Sequence, residues 1–143
     1  MRWLVSLLAA LAFAPAAAAA TPKPCALVTV NDASTVLHAT ASKGKPRVMR
    51  PYDVCVFSAG KKSLTVKIRA VANKADFEKS AQKSAPPVFP FPGVDESAYS
   101  AGGGTVLLVW KDGVEIVFSF TGASPVIQTQ KDLATAVVAR LNH

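Results

Sequence analysis

The apolar residues of this chain switch between two periods. From Leu64 they fall on every second position: Leu64, Val66, Ile68 and Ala70 alternate with Thr65, Lys67 and Arg69. That period predicts a half-buried strand over 63–72 with a polar outer face. It pairs with a second apolar stretch, 54–59, across a turn at Gly60-Lys61-Lys62. Elsewhere the spacing is helical. Helices are predicted over 30–40 with Ala33, Val36 and Leu37 on one face, 74–83 with Phe77 and Ala81, and 130–141 with Leu133, Ala136, Val137 and Leu141. Each opens with a cap residue and an acid three positions on: Thr29 and Asp32, Asn73 and Asp76, Thr129 and Asp132. The cap oxygen takes up a free first-turn amide, and the carboxylate complements the helix dipole. Glu or Gln is the usual partner, so these are capping boxes with a shorter acid.

A second hairpin joins 105–111 to 114–121 through Asp112-Gly113, a pair suited to the positive φ angles of a type I′ turn. A two-residue turn sets Lys111 against Val114, Trp110 against Glu115, Val109 against Ile116 and Leu108 against Val117. One face then carries Leu107, Val109, Ile116, Phe118 and Phe120, a core face. The other is also apolar, with Val106, Leu108, Trp110 and Val117, and such a face needs a cover or a partner. The proline-rich stretch 85–92, held extended by its prolines, is one candidate cover. The alternative is a groove for a ligand or a protein, lined by Phe89, Phe91 and Trp110.

A short strand over 96–101 precedes Gly102-Gly103-Gly104. The order helix, hairpin, helix, short strand, hairpin, helix predicts an α+β fold. Its sheet is antiparallel, two hairpins plus a short strand, packed on one face by about three helices. Helix plus hairpin occurs twice, which suggests a duplicated unit, although the halves share little side-chain identity.

The N-terminus changes the picture from fold to compartment. Arg2, a largely apolar run over 4–13 and Ala18-Ala19-Ala20 have the three parts of an export signal, with cleavage before Thr21. A membrane span needs about 20 apolar residues, and Pro15 interrupts this one. Residues 1–20 are therefore read as a signal peptide and 21–143 as a single exported domain, periplasmic or secreted, with no transmembrane anchor after cleavage. The only two cysteines, Cys25 and Cys55, most simply form one disulfide in an oxidising compartment. A metal or redox pair is the rival, without a neighbouring histidine or a Cys-x-x-Cys spacing to support it.

Charge is unevenly spread. Sixteen basic residues stand against nine acidic ones, a net +7. Residues 43–83 hold eleven of the basic and three of the acidic residues, whereas 84–143 hold three and five. Such asymmetry favours an anionic partner, and Arg47, Arg50, Lys61, Lys62, Lys67 and Arg69 are the candidate patch. Outside the cytoplasm the candidates are lipid head groups, cell-wall polymers or an acidic protein. Nucleic acid does not fit, since export takes the chain away from it.

Pro24-Cys25-Ala26-Leu27-Val28-Thr29, running into a helix with a second cysteine in the next strand, resembles small extracytoplasmic bacterial proteins of a domain-of-unknown-function family, many of them lipoproteins. Pro92-Gly93-Val94-Asp95-Glu96-Ser97-Ala98-Tyr99 is similar to a glycine–aliphatic–glycine–aspartate run of that family. Here the second glycine is absent, and so is a lipidation cysteine. The resemblance implies an exported α+β domain with a disulfide and carries no activity.

No reaction can be read from the residues. His38 and His143 are the only histidines, and neither sits near a nucleophile motif. Carboxylates are few: Asp95 and Glu96 adjoin in a loop, and Asp112 and Glu115 flank a turn. The glycine cluster precedes a strand and not a helix, so it is no phosphate loop. The sequence therefore predicts no catalytic residue, no metal site and no cofactor. The expectation is a non-enzymatic binding or interaction domain of the cell envelope, for an anionic component or a protein. The alternatives are a structural, disulfide-stapled envelope protein without a specific ligand, then a small hydrolase.

Overall fold

The computed structural model describes residues 21–94 and 97–141. The expected signal peptide, Asp95, Glu96 and His143 lie outside the described residues. In chain order the elements are α1 (Pro24–Leu27), α2 (Val30–Leu37), β1 (Lys45–Met49), β2 (Tyr52–Ala59), β3 (Lys62–Ala70), α3 (Lys74–Gln82), β4 (Phe89–Pro90), β5 (Ser97–Ala101), β6 (Val106–Lys111), β7 (Val114–Thr121) and α4 (Ile127–Leu141). A turn at Gly102–Gly104, with positive φ at all three glycines, links β5 to β6.

The fold is α+β with one antiparallel sheet, ordered β1-β2-β3-β7-β6-β5-β4. Two meanders meet where β3 pairs with β7. The sheet has seven strands, which corrects the expected two hairpins plus one strand. Neither added strand carries a period-two signal. All five residues of β1 are exposed, so nothing alternates. β4 is two residues inside the proline-rich stretch.

Turn chemistry fixes the registers. Asp112 and Gly113 both have positive φ, 47° and 80°, and the four predicted cross-strand pairs are all present. Gly60 takes φ +62° in a two-residue turn that closes with Ala59 opposite Lys62.

Helices cover both faces, which corrects the expectation of one. On the inner face, Leu27, Val36 and Leu37 of α1 and α2 and Leu133, Ala134, Val137 and Val138 of α4 pack with Phe57, Leu64, Val66, Leu107, Val109, Ile116 and Phe118. On the outer face, Phe77 and Ala81 of α3 pack over Ala101, Leu108 and Val117. The doubly apolar second hairpin requires this second layer. The leading helices of the two helix-plus-meander units thus lie on opposite faces, so the arrangement does not repeat as a duplication would.

The helix caps follow the sequence in two cases of three. Thr29 Oγ1 accepts from the Asp32 amide at 3.1 Å while Asp32 accepts from the Thr29 amide at 2.8 Å, a reciprocal capping box. Asn73 Oδ1 accepts from the Asp76 amide at 2.9 Å. Thr129 does not cap α4, which starts two residues earlier, at Ile127 after Pro125. Asp132 instead accepts from Gln128 Nε2 at 2.7 Å. His38 leaves the helical conformation, ending α2 with φ 49°.

Cys25 and Cys55 form a disulfide, with Cα atoms 5.2 Å apart. Cys25 lies inside α1, and Cys55 in the buried centre of β2, so the bridge staples the first turn of helix onto the sheet. A disulfide fits an oxidising compartment. Gly44 passes directly over it: a Cβ there would stand 2.5 Å from Cys55 Sγ and 2.7 Å from the Phe57 ring. At the other end of the chain, Arg140 Nη1 donates to Asp32 Oδ2 at 2.6 Å and to the Leu27 carbonyl at 2.7 Å. Among the described residues no helix is long and apolar enough to cross a membrane.

Candidate functional site

The outward residues of β1 and β2 beyond Tyr52 lie outside the layer under α3. Arg47, Val54 and Lys67 stand in one row across β1, β2 and β3, because directly paired residues of an antiparallel sheet share a face. Arg69 belongs to the next outward row, its guanidinium carbon 5.0 Å from the centre of the Tyr52 ring, with Lys67 Nζ at 6.0 Å. Of the six cations proposed as a patch for an anionic partner, this face brings together Arg47, Lys67 and Arg69. Arg50 lies in the turn between β1 and β2. Lys61 and Lys62 lie at the opposite end of the strands, where Lys62 Nζ donates to the Leu37 carbonyl at 2.9 Å.

Arg69 is not free to meet a partner. Its Nε and Nη2 donate to the two oxygens of Glu115 at 3.2 and 2.9 Å, and Nη2 also donates to Ser80 Oγ of α3 at 3.0 Å. Tyr52 Oη donates to Glu115 Oε1 at 2.8 Å. Glu115 is fully buried, so each of these donors offsets the cost of taking a carboxylate out of water. Burial, the Glu115 hydrogen bond and the Glu115 charge together push the Tyr52 phenol up to about 12, against a smaller opposing effect of Arg69. Glu115 in turn holds the Arg69 guanidinium above its ordinary value. This network ties β2, β3, β7 and α3 together, and all the oxygens of Glu115 are engaged. Sequence reasoning passed over Glu115, although its hairpin position set it on the apolar outer face, where a carboxylate requires a cation.

The three residues proposed as an apolar groove separate. Trp110 is half-buried beside α3, its Nε1 donating to the Val71 carbonyl at 3.0 Å. Val88 is the residue of the proline-rich stretch that packs against the same layer. Phe89 and Phe91 instead line a cleft of about 840 Å³ between β4, the glycine turn and the start of α4. Val126 and Ile127 form its far wall. Phe89, Val126 and Ile127 remain 59%, 62% and 70% exposed. Scattered apolar residues on a surface are ordinary, but three large ones around one cleft are not.

Gln130 closes this cleft from the helix side. Its Nε2 donates to the carbonyls of Gly104 and Pro125 at 3.1 and 2.9 Å. With two carbonyls on that side, the amide can face only one way. Its Oε1 is left buried with no hydrogen-bond partner. Neither Gln130 nor the pair Val126 and Ile127 was singled out from sequence. The missing signal is the true start of α4, three residues before the predicted one. Among the described residues no three His, Cys, Asp or Glu side chains cluster. Comparison with protein-family models, with curated proteins and with solved structures gives no match.

Proposed function

We propose that this chain is a non-enzymatic exported binding domain that takes an apolar, extended ligand segment in the cleft between β4 and α4. The observation that carries this reading is the convergence of Phe89, Val126 and Ile127, all exposed, on one cleft of about 840 Å³. Ligand clefts commonly run from about 300 to 1,000 Å³, apolar with a few placed polar groups. Gln130 lines the cleft, but its Oε1 is buried, so the walls a ligand meets are chiefly apolar.

The test is binding of an environment-sensitive apolar dye, then of apolar peptides that displace it. Phe89→Ser and Ile127→Ser alter exposed side chains, so the unfolding midpoint should stay where it is while dye and peptide binding fall together. Absence of binding, or binding indifferent to both substitutions, rejects the cleft. It would leave the structural, disulfide-stapled envelope protein as the better reading.

A further inference from the structure

The turn joining β1 to β2 exposes an apolar tip ringed by cations. Val48 and Met49 are 69% and 53% exposed, and they sit between Arg47 and Arg50. From Lys43 to Tyr52 the chain carries Lys43, Lys45, Arg47 and Arg50 and no acid. Register places Lys45, Arg47 and Met49 outward, in line with Tyr52 and Lys67, and Val48 toward the other side, opposite Asp53. The tip is therefore apolar on both sides of the hairpin. Among the described residues no carboxylate is ion-paired with Lys45, Arg47, Arg50 or Lys67. A cleft of about 520 Å³ runs along the same edge, lined by Lys23, Pro24, Pro46, Arg47, Val48 and by the single carboxylate Asp53.

We infer that this hairpin tip docks the protein onto an anionic lipid bilayer. Val48 and Met49 enter the headgroup layer, while Arg47, Arg50, Lys45 and Lys67 face lipid phosphates. An exposed apolar pair flanked by basic residues is the surface pattern that binds at such an interface, by adding buried apolar area to charge attraction. Charge complementarity selects a bilayer over a second copy of this chain. Two β1 edges would bring Lys45 and Arg47 against their own kind, and Pro46 lacks the amide that edge pairing needs. The acidic Asp112 turn lies at the same end of the sheet but beyond β7, so approach is by the β1 corner.

This surface is independent of the apolar cleft, and its test is separate. The protein recovered after export is sedimented with vesicles of phosphatidylcholine alone and with vesicles containing phosphatidylglycerol, at low and high salt. Binding is expected only with phosphatidylglycerol. Arg47→Gln with Arg50→Gln should weaken it about 30-fold, since each basic residue near an anionic surface contributes about 1 kcal/mol. Val48→Ser with Met49→Ser should also weaken binding at low salt, because the buried apolar area adds to the charge attraction. Lys61→Gln, at the far end of the strands, should change nothing beyond about 2-fold. Equal binding to neutral vesicles, no binding to anionic ones, or indifference to the paired substitutions would overturn the inference. So would a dimer that Val48→Ser with Met49→Ser dissolves. All the altered side chains are exposed, and an unchanged unfolding midpoint keeps a loss of binding from being a loss of fold.

Discussion

Glu115 and Arg69 face each other across β7 and β3, joined by two hydrogen bonds in a layer from which water is shut out on the Glu115 side. The pair is asymmetric: the Arg69 side chain keeps a quarter of its exposure and the Glu115 side chain almost none. Removing the cation therefore strands a buried anion, while removing the anion leaves a cation that can reach solvent.

Arg69→Met should be the costlier change, about 3 kcal/mol, the lower end for a broken buried pair because Arg69 is partly solvated. Glu115→Gln keeps an acceptor for Tyr52 and Arg69 and should cost about 1–2 kcal/mol. The double variant Arg69→Met with Glu115→Gln should lose less than the two single changes together. Urea unfolding midpoints read all three. A cost for Arg69→Met no larger than that of Glu115→Gln would contradict the burial asymmetry.

Tyr52 makes the same network sensitive to alkali. Its phenol titrates near 12 in the folded chain against 10.0 in the unfolded one. A raised value favours the protonated form in the folded state, so its contribution is complete below pH 10.0 and drains away as pH rises toward 12. Stability of the wild-type chain should fall faster over this window than that of Tyr52→Phe. Parallel curves for the two proteins would show that the hydrogen bond to Glu115 does not form.

At the acid end the relevant group is Asp32. Burial alone would raise its carboxyl, but the bonds from Arg140 and from the amide and hydroxyl side of Thr29 outweigh it and hold the value below 3.8. A lowered value contributes stability above the unfolded pKa, lost as pH falls from 3.8 through the folded value. Acid unfolding of Asp32→Asn should accordingly be shallower in that range. A steeper acid limb in the variant would reverse the sign argued here.

The crosslink and its neighbour Gly44 give a stability pair. Replacing Cys25 and Cys55 by Ala opens a loop with a sequence separation of 30, worth roughly 3–4 kcal/mol by the loop-entropy argument. Gly44→Ala drives a methyl group against Cys55 Sγ and the Phe57 ring and should cost about 1–3 kcal/mol. Gly60 has positive φ and no atom near its Cβ position, so Gly60→Asn, whose side chain tolerates that backbone, should be nearly neutral. Thermal melts rank the three, and an innocuous Gly44→Ala would mean that the strap over the bridge is loose.

What could be read from sequence was what repeats or turns. The alternation from Leu64 to Ile68 placed the inward side of β3, and Asp112-Gly113 set four cross-strand pairs, because the hairpin turn leaves no other register. The two cysteines found each other since no competing thiol exists. β1 was invisible because its five residues are all exposed and so mark no face. The second helical layer was legible only as an unexplained apolar face around Leu108 and Val117, because which helix covers it depends on the path of the chain after β3. The cleft was half legible. Phe89 and Phe91 were named, but Trp110 is drawn away to Val71, and the opposite wall comes from Val126 and Ile127 at a helix start that Thr129 seemed to place later. The basic residues showed their number but not their pairing, which is why Arg69 looked free.

The reach of Arg140 to the Leu27 carbonyl spans 113 positions in sequence. It brings the last helix beside the first, so the described chain comes close to closing on itself. A short linker from the end of α4 to the segment before α1 would complete a ring, and the open turn at Gly60-Lys61 offers a place to cut it. Such a rearranged gene would begin at β3 and end at β2, yet every strand could keep its neighbours. What the packing specifies is the circular order of the elements, and the point at which synthesis begins is free to move around it.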